Sequence, residues 1–259
     1  MKKIIPFSTL IVFFIMIYIN YKSGTGQING LSAGEVSANY PTLFTPAGFT
    51  FSIWGLIYLL GLIFVSRLIR ISFNQKIRRE TVIISGYYFL SCLLNISWIY
   101  AWHYDYIIVS EILMIGLLVN LILLYQVVYH KQYSSIWIYF STFTPISIYL
   151  GWITIAMVAN TSVMLSSIGW DGSPFKESFW AILMIIIAAL INLTVLIKKR
   201  DIFFALVYLW AAYGIIVARS SDFSDSTIWI TRATLAGMII VILGIIYARF
   251  IRIDKPVSS

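Results

Sequence analysis

Charged residues are scarce in this chain. Its 259 residues include 18 Lys and Arg and 10 Asp and Glu, which together make up 11% of the sequence, whereas apolar residues make up 60%. Soluble domains contain about 25% charged and about 45–50% apolar residues. A soluble chain of this length could not bury so much apolar surface, so the composition predicts an integral membrane protein.

Cysteine and histidine are also scarce, which excludes several kinds of site. Cys92 is the single cysteine, so no disulfide can form within the chain. The two histidines, His103 and His130, are too few for a metal cluster. The predicted helices place them at opposite membrane faces, too far apart to hold one haem. The sequence also lacks a phosphate-binding glycine loop and a histidine–carboxylate–nucleophile set. It therefore predicts no metal site, no catalytic residue and no required cofactor.

Long apolar runs dominate the rest of the chain, and each can cross a hydrocarbon core about 30 Å thick. They predict an all-α fold with eight transmembrane helices, near residues 4–21, 49–69, 81–102, 106–129, 143–166, 179–197, 202–218 and 228–251. The fifth run extends back to residue 137, but Pro145 favours a span that begins near Phe143. The basic start of the first run also suits a cleaved signal peptide. Because no A-x-A cleavage site follows, an uncleaved helix is favoured.

The basic residues predict the orientation of these helices. With the N-terminus in the cytoplasm, 14 of the 18 basic residues lie on the cytoplasmic side, in agreement with the positive-inside rule. These are Lys2, Lys3, Arg67, Arg70, Lys76, Arg78, Arg79, Lys131, Lys198, Lys199, Arg200, Arg249, Arg252 and Lys255. The remaining four are Lys22, Lys176, Arg219 and Arg232. The split predicts a multi-pass plasma-membrane protein with both termini cytoplasmic, and it explains the net charge of +8 without nucleic-acid binding.

The block at residues 40–61 combines prolines, aromatic residues and small residues. Pro46 is predicted to occupy the first turn of the second helix, where its missing N–H costs nothing. An aromatic stripe follows at helical spacing, formed by Phe51, Trp54 and Tyr58. Beside it lies a ridge of small residues, Gly48, Ser52 and Gly55, that would let another helix approach closely.

Polar stripes mark the third and fifth predicted helices. The third carries Tyr88, Ser91, Asn95, Trp98 and Trp102, and the fifth carries Tyr149, Trp152, Ala156 and Asn160. A buried amide needs a hydrogen-bond partner, so both asparagines should face protein or a cavity and not lipid. For Trp54 and Trp98 a cavity wall and simple packing both stay open, whereas Trp102 and Trp137 suit the interfacial aromatic belt.

Two charged residues lie inside predicted spans, each about one turn below the outer surface. Glu111 is on the fourth helix and Arg232 on the eighth. We predict that they pair, because an arginine fork suits a carboxylate and a partner removes the cost of a lone charge in lipid. The alternative is that Arg232 extends outward to the interface.

Three motifs together resemble a known family. The block at residues 40–61, the stretch L-L-N-I-S-W on helix three and the stretch P-I-S-I-Y-L-G-W-I-T-I-A-M-V-A-N on helix five are similar, in this order, to motifs of the tryptophan-rich sensory protein family. This is the translocator-protein, or peripheral benzodiazepine receptor (TspO/MBR-related), family. The resemblance covers about residues 4–166, although the spacing after Pro145 is stretched and the last three helices have no counterpart in five-helix members. It divides the chain into a five-helix unit at 1–166, three added helices at 178–251 and a cytoplasmic tail at 252–259.

The resemblance implies a five-helix bundle whose pocket, closed by the first loop, accepts flat hydrophobic molecules such as porphyrins. By matching position and stripe, the predicted lining is Phe51, Trp54, Tyr58, Asn95, Trp98, Trp152 and Asn160. The first hypothesis is therefore a lipid-embedded protein that binds, senses or moves such a molecule. The alternatives are an eight-helix transporter with Glu111 in proton coupling and a membrane enzyme acting on a tetrapyrrole. Homo-oligomer formation stays open.

Overall fold

The computed structural model describes residues 4–40, 42–74, 79–131, 133–222 and 224–250, and in these residues the chain is helical with short connections. The α-helices are α1 Ile4–Gly24, α2 Ala33–Ala38, α3 Ile53–Asn74, α4 Arg79–His103, α5 Ile107–Tyr129, α6 Ile136–Ser167, α7 Glu177–Lys199, α8 Ile202–Arg219 and α9 Asp225–Phe250. A 3-10 helix, Gly48–Ser52, leads directly into α3. Eight helices are long and apolar enough to cross a membrane, which confirms the predicted fold class and number of spans. Predictions for Lys2, Lys3, Lys76, Arg78, Arg252, Lys255 and the tail at 252–259 lie outside the described residues.

Five of the long helices form a closed ring. In the order α1, α3, α6, α5, α4 and back to α1, each helix packs against the next. The last three, α7, α8 and α9, pack on one another, and α8 joins them to the ring through α6 and the 3-10 helix. Large apolar side chains cover the outward faces and suit contact with lipid acyl chains; examples are Leu56, Leu59, Ile112, Ile115, Ile239 and Leu243.

Close helix contacts occur at glycines, but not at those predicted. A Cβ placed on Gly48 or Gly55 would meet nothing within 4 Å, so the small-residue ridge does not receive a helix and that prediction is wrong. The close approach lies further along α3, where a Cβ on Gly61 would be 2.5 Å from Tyr88 Oη and 2.7 Å from the Phe13 ring. Gly61 is buried on the inward face of α3, whereas Gly48, Ser52 and Gly55 are exposed.

Two predictions about prolines also fail. Pro46 does not lie in the first turn of a helix, because the 3-10 helix begins at Gly48. The segment just before the 3-10 helix is held instead by a hydrogen bond, which the Ala47 N–H donates to Gly214 O on α8 at 3.0 Å. Nor does the fifth long helix begin near Phe143: α6 runs unbroken through Pro145. Every residue from 141 to 153 is buried, so this part of α6 is enclosed by neighbouring helices, the setting in which a proline inside a membrane helix is tolerated.

The loop after α1 contains a helix that the sequence reading missed. The Glu35 N–H donates to Ser32 Oγ at 3.2 Å, and the Ser32 N–H donates back to Glu35 Oε2 at 2.6 Å. This reciprocal capping box starts α2. The hydrogen bond that the Ser32 N–H donates to the carboxylate also lowers the pKa of Glu35.

The predicted ion pair between Glu111 and Arg232 does not form in the described structure. The Glu111 carboxylate accepts from Asn160 Nδ2 at 2.6 Å and from Thr161 Oγ1 at 2.7 Å, so it is satisfied within the ring. Arg232 is exposed on α9, with its guanidinium 5.1 Å from the centre of the Trp229 ring. The prediction is wrong because α9, which carries Arg232, packs on α7 and α8, whereas α8 is the helix that packs against the ring.

A different carboxylate joins the two groups of helices, at the opposite end of the bundle. Asp201, between α7 and α8, is 1% exposed and accepts from Ser147 Oγ on α6 at 2.6 and 2.7 Å. Tyr125 Oη on α5 donates to it at 2.8 Å. The Phe204 N–H donates to it at 3.1 Å, so the same side chain also caps α8.

Candidate ligand-binding site

A cavity of about 540 Å³ opens between α1, α2, the 3-10 helix, α3 and α4. We call it the aromatic cavity; its walls include Asn20, Ala33, Gly34, Glu35, Gly48, Phe51, Trp54, Tyr58, Trp98 and Ile99. Its volume falls within the range of about 300–1,000 Å³ that is usual for small-molecule sites. The predicted loop closure is present as a folded element, because α2 lies over the cavity.

The aromatic wall follows from the way the 3-10 helix runs into α3. Phe51, Trp54 and Tyr58 lie on one face, and the Trp54 and Tyr58 rings stack with centroids 5.7 Å apart. Opposite them, Trp98 stacks on Trp102 at 5.8 Å, one turn further along α4. The two helices therefore present flat ring systems to the space between them, which suits a flat apolar molecule.

A side chamber of about 40 Å³ adjoins the aromatic cavity on its α6 side. Phe51, Trp54 and Trp98 line both spaces and separate them. The far wall of the chamber includes Trp152 and Asn160. The Trp152 ring lies edge-on to Phe51 at 5.9 Å and to Trp54 at 6.2 Å. The structure thus brings six of the seven predicted lining residues together, and their role in binding stays a prediction.

The seventh predicted residue, Asn95, lies behind the wall. It is fully buried, and its Oδ1 accepts from Asn20 Nδ2 at 2.7 Å. Asn20 itself lines the aromatic cavity. Asn95 therefore does not form part of the cavity surface, and its hydrogen bond with Asn20 is what links it to the site.

A chain of hydrogen bonds connects the cavity wall to Glu111. Trp98 Nε1 donates to Asn160 Oδ1 at 3.1 Å, and the Asn160 amide donates to the Glu111 carboxylate. Asn160 is 3% exposed and Glu111 is 7% exposed. These bonds fix the Trp98 indole in the wall, and Asn160 is the partner of Glu111 in place of the predicted Arg232.

We call α2 the lid of the cavity, and several contacts at and beside its two ends hold it in place. Trp102 Nε1 donates to Ala33 O at 3.1 Å, and Asn29 Nδ2 donates to His103 O at 2.7 Å. At the far end, Tyr40 Oη donates to Asp105 Oδ1 at 3.3 Å, and burial together with this carboxylate raises the pKa of Tyr40. Trp102 is therefore a lid anchor, although an interfacial position was predicted for it.

The family model described as TSPO-like protein matches residues 4–247. The chain belongs to the TSPO-like family. The match extends past the motif-bearing region at 4–166 and takes in α7, α8 and α9 as well. No curated protein and no solved structure shows significant similarity to the chain.

In this TSPO-like chain, three polar atoms around the site have no hydrogen-bond partner among the described residues. They are Tyr58 Oη, Asn95 Nδ2 and Trp152 Nε1, and each is buried. A buried polar atom without a partner costs about 1–3 kcal/mol, so these atoms, which have almost no accessible surface, are costly positions around the site. Two of the three belong to residues that line the cavity or its side chamber.

Sequence reasoning missed the members of this TSPO-like site that come from α1 and α2. Asn20 stands alone on an apolar helix, so its spacing gives no stripe. Ala33 and Gly34 carry no chemical signal. Glu35 could have been found, because Ser32-x-x-Glu35 is a capping-box pattern and predicts a short helix in the loop.

Proposed function

We propose that this TSPO-like membrane protein binds a flat, hydrophobic small molecule, such as a porphyrin, in the aromatic cavity. The observation that carries the proposal is the aromatic wall of the space of about 540 Å³, formed by the stacked Trp54 and Tyr58 rings of α3 and by the Trp98 indole of α4.

The charge of the lining favours a neutral ligand. Among the described residues that line the aromatic cavity there is one carboxylate, Glu35, and no basic side chain. Hydrogen bonding lowers the pKa of Glu35, so its carboxylate is ionised at neutral pH. A ligand with free carboxylates is disfavoured there unless they point to solvent.

An absorbance titration of detergent-purified protein tests the proposal, with protoporphyrin and its dimethyl ester as probes. We expect saturable binding of one porphyrin per chain, with the ester bound at least as tightly as the free acid. Trp54→Ala should weaken binding by at least about tenfold, because it removes a ring that stacks on the ligand.

The matched control is Trp229→Ala, which removes an indole that is 59% exposed on α9. It should leave the affinity unchanged. Absence of saturable binding, or equal losses in both variants, would contradict a site in the aromatic cavity.

We further propose that the protein lies in the plasma membrane with the lidded end of the bundle outward. The basic residues support this orientation, since Arg67, Arg70, Lys131, Lys198 and Lys199 all lie at the end opposite α2.

Transport is the second candidate function, favoured by the hydrogen-bond chain from Trp98 through Asn160 to Glu111. That chain places a buried carboxyl group within reach of the cavity wall. Porphyrin flux into proteoliposomes that depends on a proton gradient, and that Glu111→Gln abolishes without loss of binding, would favour transport over binding alone.

A further inference from the structure

A second large cavity, of about 600 Å³, lies at the end of the bundle opposite α2. It is bounded by α3, α4, α6 and the connection between α5 and α6. We call it the basic cavity, because the described residues of its lining include Arg67, Arg70 and Lys131 but one carboxylate, Glu80. It shares no residue with the aromatic cavity.

One of these cations is neutralised and two are not. Lys131 Nζ pairs with Glu80 Oε1 at 2.7 Å. Arg67 and Arg70 form no ion pair with any described residue, although Arg67 is partly buried beside the cavity. Two guanidinium groups, three residues apart on one face of α3, therefore present their charge to the same space.

The inner wall of the basic cavity is apolar. Phe64, Leu68 and Ile84 line it and are at most 4% exposed. Thr142, also in the lining, is 4% exposed, and its hydroxyl has no hydrogen-bond partner among the described residues. On the rim, Trp137 is 60% exposed and stacks on Phe140 at 6.1 Å.

This arrangement matches an amphiphile with an anionic head. An arginine guanidinium binds two phosphate oxygens through a pair of parallel hydrogen bonds. The apolar wall suits the start of an acyl chain, and an exposed indole is typical of the headgroup level of a bilayer. A zwitterionic headgroup carries its own cation and fits two unpaired guanidinium groups less well.

We propose that the basic cavity binds the phosphate group of an anionic phospholipid, held by Arg67 and Arg70. The same phosphate chemistry is available on a soluble organic phosphate, so the test includes both sources. The proposal does not depend on porphyrin binding, because the two cavities lie at opposite ends.

Native mass spectrometry of the detergent-purified chain tests the proposal by counting bound lipid. Phosphatidylglycerol should form a one-to-one complex at concentrations at which phosphatidylcholine does not. The double variant Arg67→Gln/Arg70→Gln should weaken this complex by roughly 30-fold, since each basic residue near an anionic headgroup contributes a factor of about five.

The control double variant Lys198→Gln/Arg249→Gln removes the same charge from exposed positions at the same end, outside the basic cavity. It should keep the complex within about threefold of the native chain. Helical circular dichroism and a monodisperse elution profile confirm that both variants are folded. A complex of the chain with glycerol phosphate, lost only in the arginine variant, would support a phosphate site with a soluble source. Equal losses in both variants, or no loss with either, would overturn the proposal.

Discussion

At the scale of single residues, the polar groups inside the ring are arranged around amides. Asn160 accepts from the Trp98 indole and donates to Glu111, while Asn95 accepts from Asn20. Asn160 thus joins α6 to α4 and to α5, and Asn95 joins α4 to α1. Such bonds stabilise a bundle in lipid because water is not there to replace a lost partner.

Removing the Glu111 carboxylate should therefore destabilise the ring. Glu111→Ala leaves the Asn160 amide without its strongest acceptor, and we expect a loss of about 1–3 kcal/mol. In a double-mutant cycle read by thermal unfolding in detergent, Glu111 and Asn160 should show coupling of about 1 kcal/mol. Glu111 and Arg232 should show none. Coupling to Arg232 instead of Asn160 would show that the ion pair exists after all.

At the scale of elements, the short connections join the two groups of helices and form part of the candidate site. The α7–α8 connection supplies Asp201, which ties α8 to α5 and α6. The loop after α1 supplies α2, which covers the aromatic cavity. These short elements position the site, whereas the long helices supply the frame.

Asp201→Ala should loosen α7, α8 and α9 from the ring. It removes the acceptor for Ser147 and Tyr125 and the cap of α8, so we expect a loss of about 2–4 kcal/mol, or on the order of 10 °C in thermal midpoint. Asp222 accepts similar bonds from Ser224 and Thr227 but is exposed, so Asp222→Ala is the matched control. Similar losses in the two variants would mean that the Asp201 contacts do not hold the two groups of helices together.

The same carboxyl group should make stability depend on pH. Burial raises the pKa of Asp201 above its ordinary value of 3.8, against the opposing effect of its hydrogen bonds. Because the folded pKa is the higher one, this contribution is fully present below pH 3.8 and is lost as the pH rises through the folded pKa. The advantage of the native chain over Asp201→Asn should shrink in thermal unfolding as the pH rises above about 4. An advantage that grows with pH would show that the pKa is lowered.

Apolar runs predicted the long helices to within about five residues, apart from the start of α6 at Ile136, because length and hydropathy alone define a membrane span. The aromatic wall was also predictable, since Trp54, Trp98 and Trp152 each belong to a stripe of aromatic or polar residues at helical spacing, one stripe on each of three helices. The partners of charged residues were not predictable. Depth along a helix placed Glu111 and Arg232 at one level, but only packing decides which faces meet, and α9 turns its face to α7.

At the scale of the whole molecule, a five-helix ring holds the candidate site and three further helices pack against one side of it. The family match spans both groups, so the ring and the added helices are parts of one TSPO-like chain. The two large cavities lie at opposite ends, one under a lid and one beneath a basic rim.

Eight spanning helices should place the segments before α1 and after α9 on the same side of the membrane. A reporter fused after α9 and a second inserted between α8 and α9 should therefore label opposite sides, with the first in the cytoplasm. Basic residues at the end opposite α2 support this direction. Labelling of both reporters on one side would contradict the eight-span topology.

The central claim, that the aromatic cavity is the ligand site, is tested most directly by filling the cavity. Gly48 lines it and Gly55 does not, and a Cβ on either residue would meet nothing within 4 Å. The measurement is the affinity of the purified chain for protoporphyrin dimethyl ester, in Gly48→Leu and in Gly55→Leu as the control. We predict at least a roughly tenfold loss of affinity in Gly48→Leu and no change in Gly55→Leu. Undiminished binding by Gly48→Leu, or an equal loss in Gly55→Leu, would contradict the claim.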